Sequence, residues 1–259
     1  MTVSEEPPAF RLAYVPGVTP TKWVRIWNER LPGVPLTLVA VSASEAPDLL
    51  RAGGADAGFV RLPIDRTDLS AIPLYTETTV VVIPKDHLLA AADEVSAQDL
   101  ADDIVFHPLD DTLGREQLPG LPANERPATT ADAIELVAAG VGLLLVPQSL
   151  ARLHHRKDLT YRPVPGTPES RVALSWPEER TTDLVEEFIG IVRGRTVNST
   201  RGRPPTPAQP KGKLAGARGA GRKPAAGKPA AGSPQRGSGG PKGGKRGKPG
   251  KQGKPRRRS

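Results

Sequence analysis

Two pairs of threonines stand where a side-chain hydroxyl can help hold an anion. Thr19 and Thr21 flank Pro20 at the start of one helical pattern, and Thr129 and Thr130 precede another. A helix start leaves its first N–H groups without intrahelical partners and carries the positive end of the helix dipole, so a small oxyanion is stabilised there. A threonine at such a start has two uses. Its oxygen can cap the backbone, which alone accounts for Thr19, or it can meet a ligand. Val18, Thr19, Thr21, Thr129 and Thr130 are therefore candidate ligand contacts, with both helix starts expected to face one cleft. Arg61 follows an apolar run and offers a planar guanidinium that grips a carboxylate through two bonds. The alternative for Arg61 is an ordinary ion pair with Asp65 or Asp56. Ser42 is a further candidate, although Ser42-Ala43-Ser44-Glu45 also reads as a capping box. His107, at the end of a short strand, fits a packed or interlobe histidine better than an acid–base group.

Other residues carry less. His154-His155-Arg156-Lys157 places adjacent histidines on different faces with no third ligand at useful spacing, so it reads as solvated surface. Asp102-Asp103 and Asp110-Asp111 read as loop charges. There is no G-x-S-x-G, phosphate loop or H-E-x-x-H, and Gly140-Val141-Gly142 follows a helix instead of opening one. Cysteine is absent, which excludes disulfides, thiolate metal sites and thiol catalysis. Nothing in the sequence builds a nucleophile–base pair or a cofactor site, and the expectation is a protein that is not an enzyme.

The elements that would position these residues begin with residues 10–15, an alternating strand ending at Pro16-Gly17. Thr19 is expected as N-cap and Pro20 as first helical residue, with Trp23, Val24, Trp27 and Leu31 forming the inward face. A strand over 35–41, a helix from the Ser42 box to about Ala52 and a strand over 57–61 complete a β-α-β-α-β order. That order points to a parallel sheet with helices on both faces. Residues 72–84 read as one long strand with a polar centre at 76–79, able to pass between lobes.

A second set follows. It comprises a short helix over 96–101 capped by Ser96, a strand at 104–107, a polar loop to about 129 and a helix over 130–139. A buried strand at 143–146 and a short helix over 148–153 come next. Residues 159–164 form a strand returning toward the first lobe, where 171–176 pairs. An amphipathic helix over 181–193 closes the folded part.

Charge divides the chain. Half of its 36 Lys and Arg residues lie from Arg201 onward, where there is no Asp or Glu, so residues 1–198 set the other 18 against all 28 acids. The last 61 residues contain one Leu and no aromatic, which is too little apolar surface to offset chain entropy. They are expected to stay disordered. Gly-Lys-Pro recurs there without a fixed period. Such cations bind phosphates weakly and with strong salt dependence. Arg222, Lys223, Lys245, Arg246, Arg256, Arg257 and Arg258 are the candidate nucleic-acid contacts. Residues 1–9 read as a loose leader, without the basic-then-apolar run of a signal peptide, and no apolar run suffices to span a bilayer. A cytoplasmic, non-membrane protein is expected.

Several stretches together resemble the effector-binding domain of LysR-type transcriptional regulators. They are the opening strand-Pro-Gly-helix, LPGVPLTL (31–38), LLRAGGADAGFVRLP (49–63), PLYTETTVVVIPKDHLLA (73–90) and ELVAAGVGLLLVPQSLA (135–151). Leu88 stands where the family usually has proline. The resemblance covers about 10–195 and implies an α/β, two-lobed fold of the type 2 periplasmic-binding-protein kind with crossover strands. The first lobe would span 10–84 and 165–198, and the second 85–164. It further implies a small effector between the lobes, held partly by the hydroxyls at helix starts, and side-by-side association into a homodimer. Family regulators carry a winged helix-turn-helix and a linker helix ahead of this domain, whereas nine residues precede the first strand in this sequence.

The leading expectation is thus a receptor for a small anionic or carboxylate metabolite, linked to transcription regulation, without a cofactor. One alternative is a nucleic-acid-associated protein acting through its tail. The other is an enzyme on the same two-lobed fold.

Overall fold

The computed structural model describes residues 9–114 and 119–195. The basic tail with its candidate nucleic-acid contacts, and all of the leader but Ala9, lie outside the described residues.

The chain opens with β1 (Phe10–Tyr14), α1 (Thr21–Arg30), β2 (Leu36–Ala40), α2 (Ala46–Arg51) and β3 (Ala57–Leu62), in the β-α-β-α-β order expected. β1 lies between β2 and β3 and runs parallel to both. α1 begins one residue later than its sequence suggests. Pro20 is the N-cap, in helical conformation, and no side chain caps the helix, so Thr19 is not the cap it was expected to be. The reason is Pro20 itself: its carbonyl accepts the N–H groups of Trp23 and Val24, so the first turn closes on Pro20 and not on Thr19.

The expected long strand is two strands. β4 (Leu69–Glu77) and β5 (Thr79–Pro84) are separated at Thr78 and belong to different sheets. The first sheet has the order β2-β1-β3-β10-β4, with β10 (Ser170–Pro177) antiparallel to both neighbours. It is therefore mixed and not purely parallel. A strand entering from another lobe needs no crossover helix, so it can join in the reverse direction.

The second sheet has the order β7-β6-β8-β5-β9, built from β6 (Ile104–Phe106), β7 (Leu121–Pro122), β8 (Leu143–Pro147) and β9 (Leu159–Pro163) with β5. The chain thus changes sheet at Thr78, not at Pro84. The two-residue β7 falls inside the stretch expected as loop. α3 (Thr130–Ala138) and α4 (Gln148–Leu153) flank β8, and α5 (Asp183–Val192) ends the described fold.

The two sheets bury different cores. Against the first, Phe10 stacks on Trp27 with ring centroids 4.6 Å apart, Trp23 meets Phe59 at 4.6 Å, and Phe188 of α5 lies 5.2 Å from Phe10. The second sheet is mostly aliphatic, with Phe106 of β6 buried in it, and its central strands have clusters on both faces. Along β5, Val80 and Val82 join the α3 side with Leu144, Val146 and Val137, while Val81 and Ile83 face the opposite cluster with Leu143, Leu145 and Leu100. This two-residue alternation explains why the strands read as unbroken apolar runs.

Candidate functional site

Arg61 sits where the strands that change sheet converge. Its side chain is 4% exposed, and its guanidinium donates from Nη1 to Glu77 Oε2 at 2.9 Å and to Ser170 Oγ at 2.7 Å. Nη2 donates to the Pro16 carbonyl at 2.9 Å and to Ser149 Oγ at 3.1 Å, and Ser149 in turn donates to Glu77 Oε2 at 2.7 Å. One buried cation therefore joins the end of β4, the start of β10, the β1–α1 loop and α4 of the second lobe. The ion-pair alternative is what the structure contains, but the partner is Glu77 and neither Asp65 nor Asp56. Those two serve Arg51 and Arg11. Arg61 is committed to the protein and does not point a free fork at a ligand.

Beside this junction a cleft of about 1070 Å³ opens. Tyr14 and the 16–19 loop form one wall with the β2 end, Ser42 and Glu45. Residues 75–78 form the back, and Gln148, Ser149, Arg152 and Leu153 of α4 form the facing wall. Gly17 is what lets the walls approach. Its φ is +85°, and a Cβ there would stand 2.4 Å from Ser149 Oγ and 2.9 Å from Arg61 Nη2. Tyr75 contributes a phenol whose pKa is raised by burial and by the Glu77 charge, so it stays protonated across the physiological range.

The expected contacts divide. Val18, Thr19 and Ser42 line the cleft, and Thr21, the first residue of α1, does not. The Ser42 oxygen accepts the Glu45 N–H at 3.2 Å, but α2 begins at Ala46 with Glu45 as its N-cap, so Ser42 does not cap that helix as expected. The Glu45 carboxylate takes the Ser42 hydroxyl at 2.6 Å instead of reaching back to the backbone. Thr129 and Thr130 are not among the lining residues. Thr129 closes α3 in a reciprocal box with Asp132, and the Thr130 hydroxyl donates to Asp110 Oδ1 at 2.9 Å. His107 is buried away from the cleft lining, and its carbonyl accepts Arg126 Nε at 2.7 Å. The second lobe therefore reaches the cleft through α4, not α3. Sequence reasoning missed Gln148, Ser149 and Arg152. Their signal was Pro147, a break placed at the carboxyl end of a buried strand, where α/β proteins put ligands.

A mixed α/β fold of two sheets with a cleft between them defines a class of two-lobed binding proteins. The family model described as "LysR substrate binding domain" matches residues 8–196, and the chain belongs to that family. Among curated relatives, the Hca operon transcriptional activator HcaR of Escherichia coli (strain K12) is 25% identical over 205 residues, which are 74% of this chain and 67% of that protein. A probable hydrogen peroxide-inducible genes activator of Mycobacterium avium is 34% identical over 145 residues, 52% of this chain and 46% of that one. The chain thus spans about half to two thirds of the curated relatives' length. Among solved structures, the effector-binding domain of BenM with its effector benzoate aligns at a TM-score of 0.60 and 20% identity, covering 72% of this chain and 91% of that one. The reduced form of OxyR aligns at 0.60 and 20%, covering 73% and 96%.

Proposed function

We propose that this chain is the ligand-sensing part of a LysR-type transcription regulator, acting in the cytoplasm and without catalysis of its own. A small ligand bearing an anionic group would enter the cleft and change how the lobes close on each other. The observation that carries this reading is the cleft itself. Its first wall ends at a helix start that no side chain caps, and its facing wall presents Arg152. The helix dipole and the guanidinium both favour an anion there. The relatives' names describe activators and regulators, which supports the non-enzymatic reading. Association into a homodimer belongs to the same proposal and is checked by light scattering on the purified chain.

The ligand reading is tested by thermal shift with a carboxylate panel on wild type and on T19A/R152Q. The expected result is a compound that stabilises wild type by several degrees and the double variant much less. Equal stabilisation of both refutes the assigned cleft.

A second reading concerns residues 199–259, whose 18 cations have no acidic counterpart. That segment would bind nucleic acid through phosphate contacts, and its removal should abolish DNA retardation at low salt. Unchanged retardation refutes it.

A further inference from the structure

The charges around the cleft are not all of one kind, and their partners differ. Glu77 is neutralised from beneath by Arg61 at 2.9 Å. Glu45 and Arg152 are not neutralised. Glu45 has one carboxylate oxygen on the Ser42 hydroxyl, and no cation lies within ion-pair distance of it among the described residues. Arg152 has Nε on the Tyr161 phenol at 3.2 Å, and its two terminal nitrogens bond to no described residue. One wall of the cleft, at the start of α2, thus carries an unpaired carboxylate. The other, on α4, carries an open guanidinium fork.

From this juxtaposition we propose that the ligand is a zwitterion of the amino-acid class, with an ammonium on Glu45 and a carboxylate on Arg152. The inference rests on the ligand-sensing reading and narrows it. A planar fork with both terminal nitrogens open matches a carboxylate through two parallel bonds. A carboxylate with a free oxygen matches an ammonium, a donor with no acceptor capacity. A simple carboxylate satisfies Arg152 but leaves Glu45 facing like charge. A simple amine satisfies Glu45 and leaves the fork and the α1 start unmatched. Because Glu45 and Arg152 come from different lobes, a ligand joining them would also draw the lobes together. That supplies the differential contact a closure mechanism needs. The floor of the cleft, where Arg61 and Glu77 cancel, adds no net charge to alter this preference.

The test is calorimetric titration of the full chain with α-amino acids, with β-alanine and 4-aminobutyrate, with the N-acetyl derivative of each and with the amine lacking its carboxylate. At least one zwitterion should bind about tenfold or more tightly than both of its truncated forms. The E45Q variant should then bind that zwitterion and its N-acetyl derivative about equally, and R152Q should bind it and the amine about equally, within about twofold. A best ligand that lacks a cationic group, a zwitterion unaffected by E45Q and R152Q, or no binding by any zwitterion overturns the proposal. The first of these outcomes, if still lost in T19A/R152Q, leaves the cleft reading standing. A ligand insensitive to every cleft variant removes both.

Discussion

The starts of α1 and α3 look alike in sequence and differ in the fold. Each has a threonine pair beside it, and each belongs to a family-matched stretch. At α3 the Thr129 hydroxyl accepts the Asp132 N–H at 3.1 Å while Asp132 Oδ2 accepts the Thr129 N–H at 3.1 Å, and that end is closed by its own residues. At α1 the third helical residue is Trp23, which has no oxygen to return, and Pro20 has no N–H to be capped. Thr19 is left at the mouth of the cleft. A helix start keeps its N–H groups open to a ligand only where its own sequence has not already satisfied them. The residue three places on decides this more than the threonine does.

Removing what holds the open end should have the largest effect. Arg61→Met leaves Glu77, 9% exposed, without its cation, and should cost about 3–5 kcal/mol in urea unfolding. A loss below 1 kcal/mol would mean that the pair behaves as a surface one and does not organise the junction. Gly17→Ala comes next. It places a Cβ at positive φ against Ser149 and should cost about 1–2 kcal/mol. It should also weaken ligand binding, since the loop must shift from α4 to accommodate it.

The comparison itself is tested by a matched pair. Thr129→Ala should lose about 1 kcal/mol of stability and leave ligand affinity unchanged. Thr19→Ala should leave stability unchanged and lower affinity. Reversal of that pattern would show that the assignment of open and closed ends is inverted.

The smallest effect belongs to Ser96 and Asp99, where the expected helix over 96–101 capped by Ser96 is instead a single 3-10 turn, Gln98–Leu100, with Ala97 as its N-cap. Asp99 accepts both the hydroxyl and the N–H of Ser96, and these bonds hold its carboxyl below the ordinary range. With a folded pKa below the unfolded value of about 3.9, its contribution is present above that pH and is lost as pH falls through the folded value. Asp99→Asn should therefore lower the urea midpoint slightly near pH 6, and by less as pH falls through the folded value.

Much of the fold was legible because its signals are local. The Pro-Gly stop after β1, the glycines after α2 and the unbroken apolar runs of β5 and β8 each follow from neighbours in sequence. The split of β4 from β5 was less visible. Residues 76–79 showed a polar centre, but only the distant strands β8, β9 and β10 assign the two halves to different sheets. The candidate site was half legible. Val18, Thr19 and Ser42 follow from strand ends and helix starts, whereas the Arg61 partner lies 16 residues away at Glu77 and its second-lobe contact 88 residues away at Ser149. No spacing rule reaches that far. The α3 end was misread although Thr129-x-x-Asp132 carries the same box pattern recognised at Ser42.

The most direct test is amide chemical-shift mapping of the chain on addition of its best-binding ligand. The account predicts that the perturbed amides gather at residues 14–19, 42–45, 75–78 and 148–153. Perturbations centred on 129–132 and 107–110, with residues 16–19 and 148–153 unmoved, would contradict it.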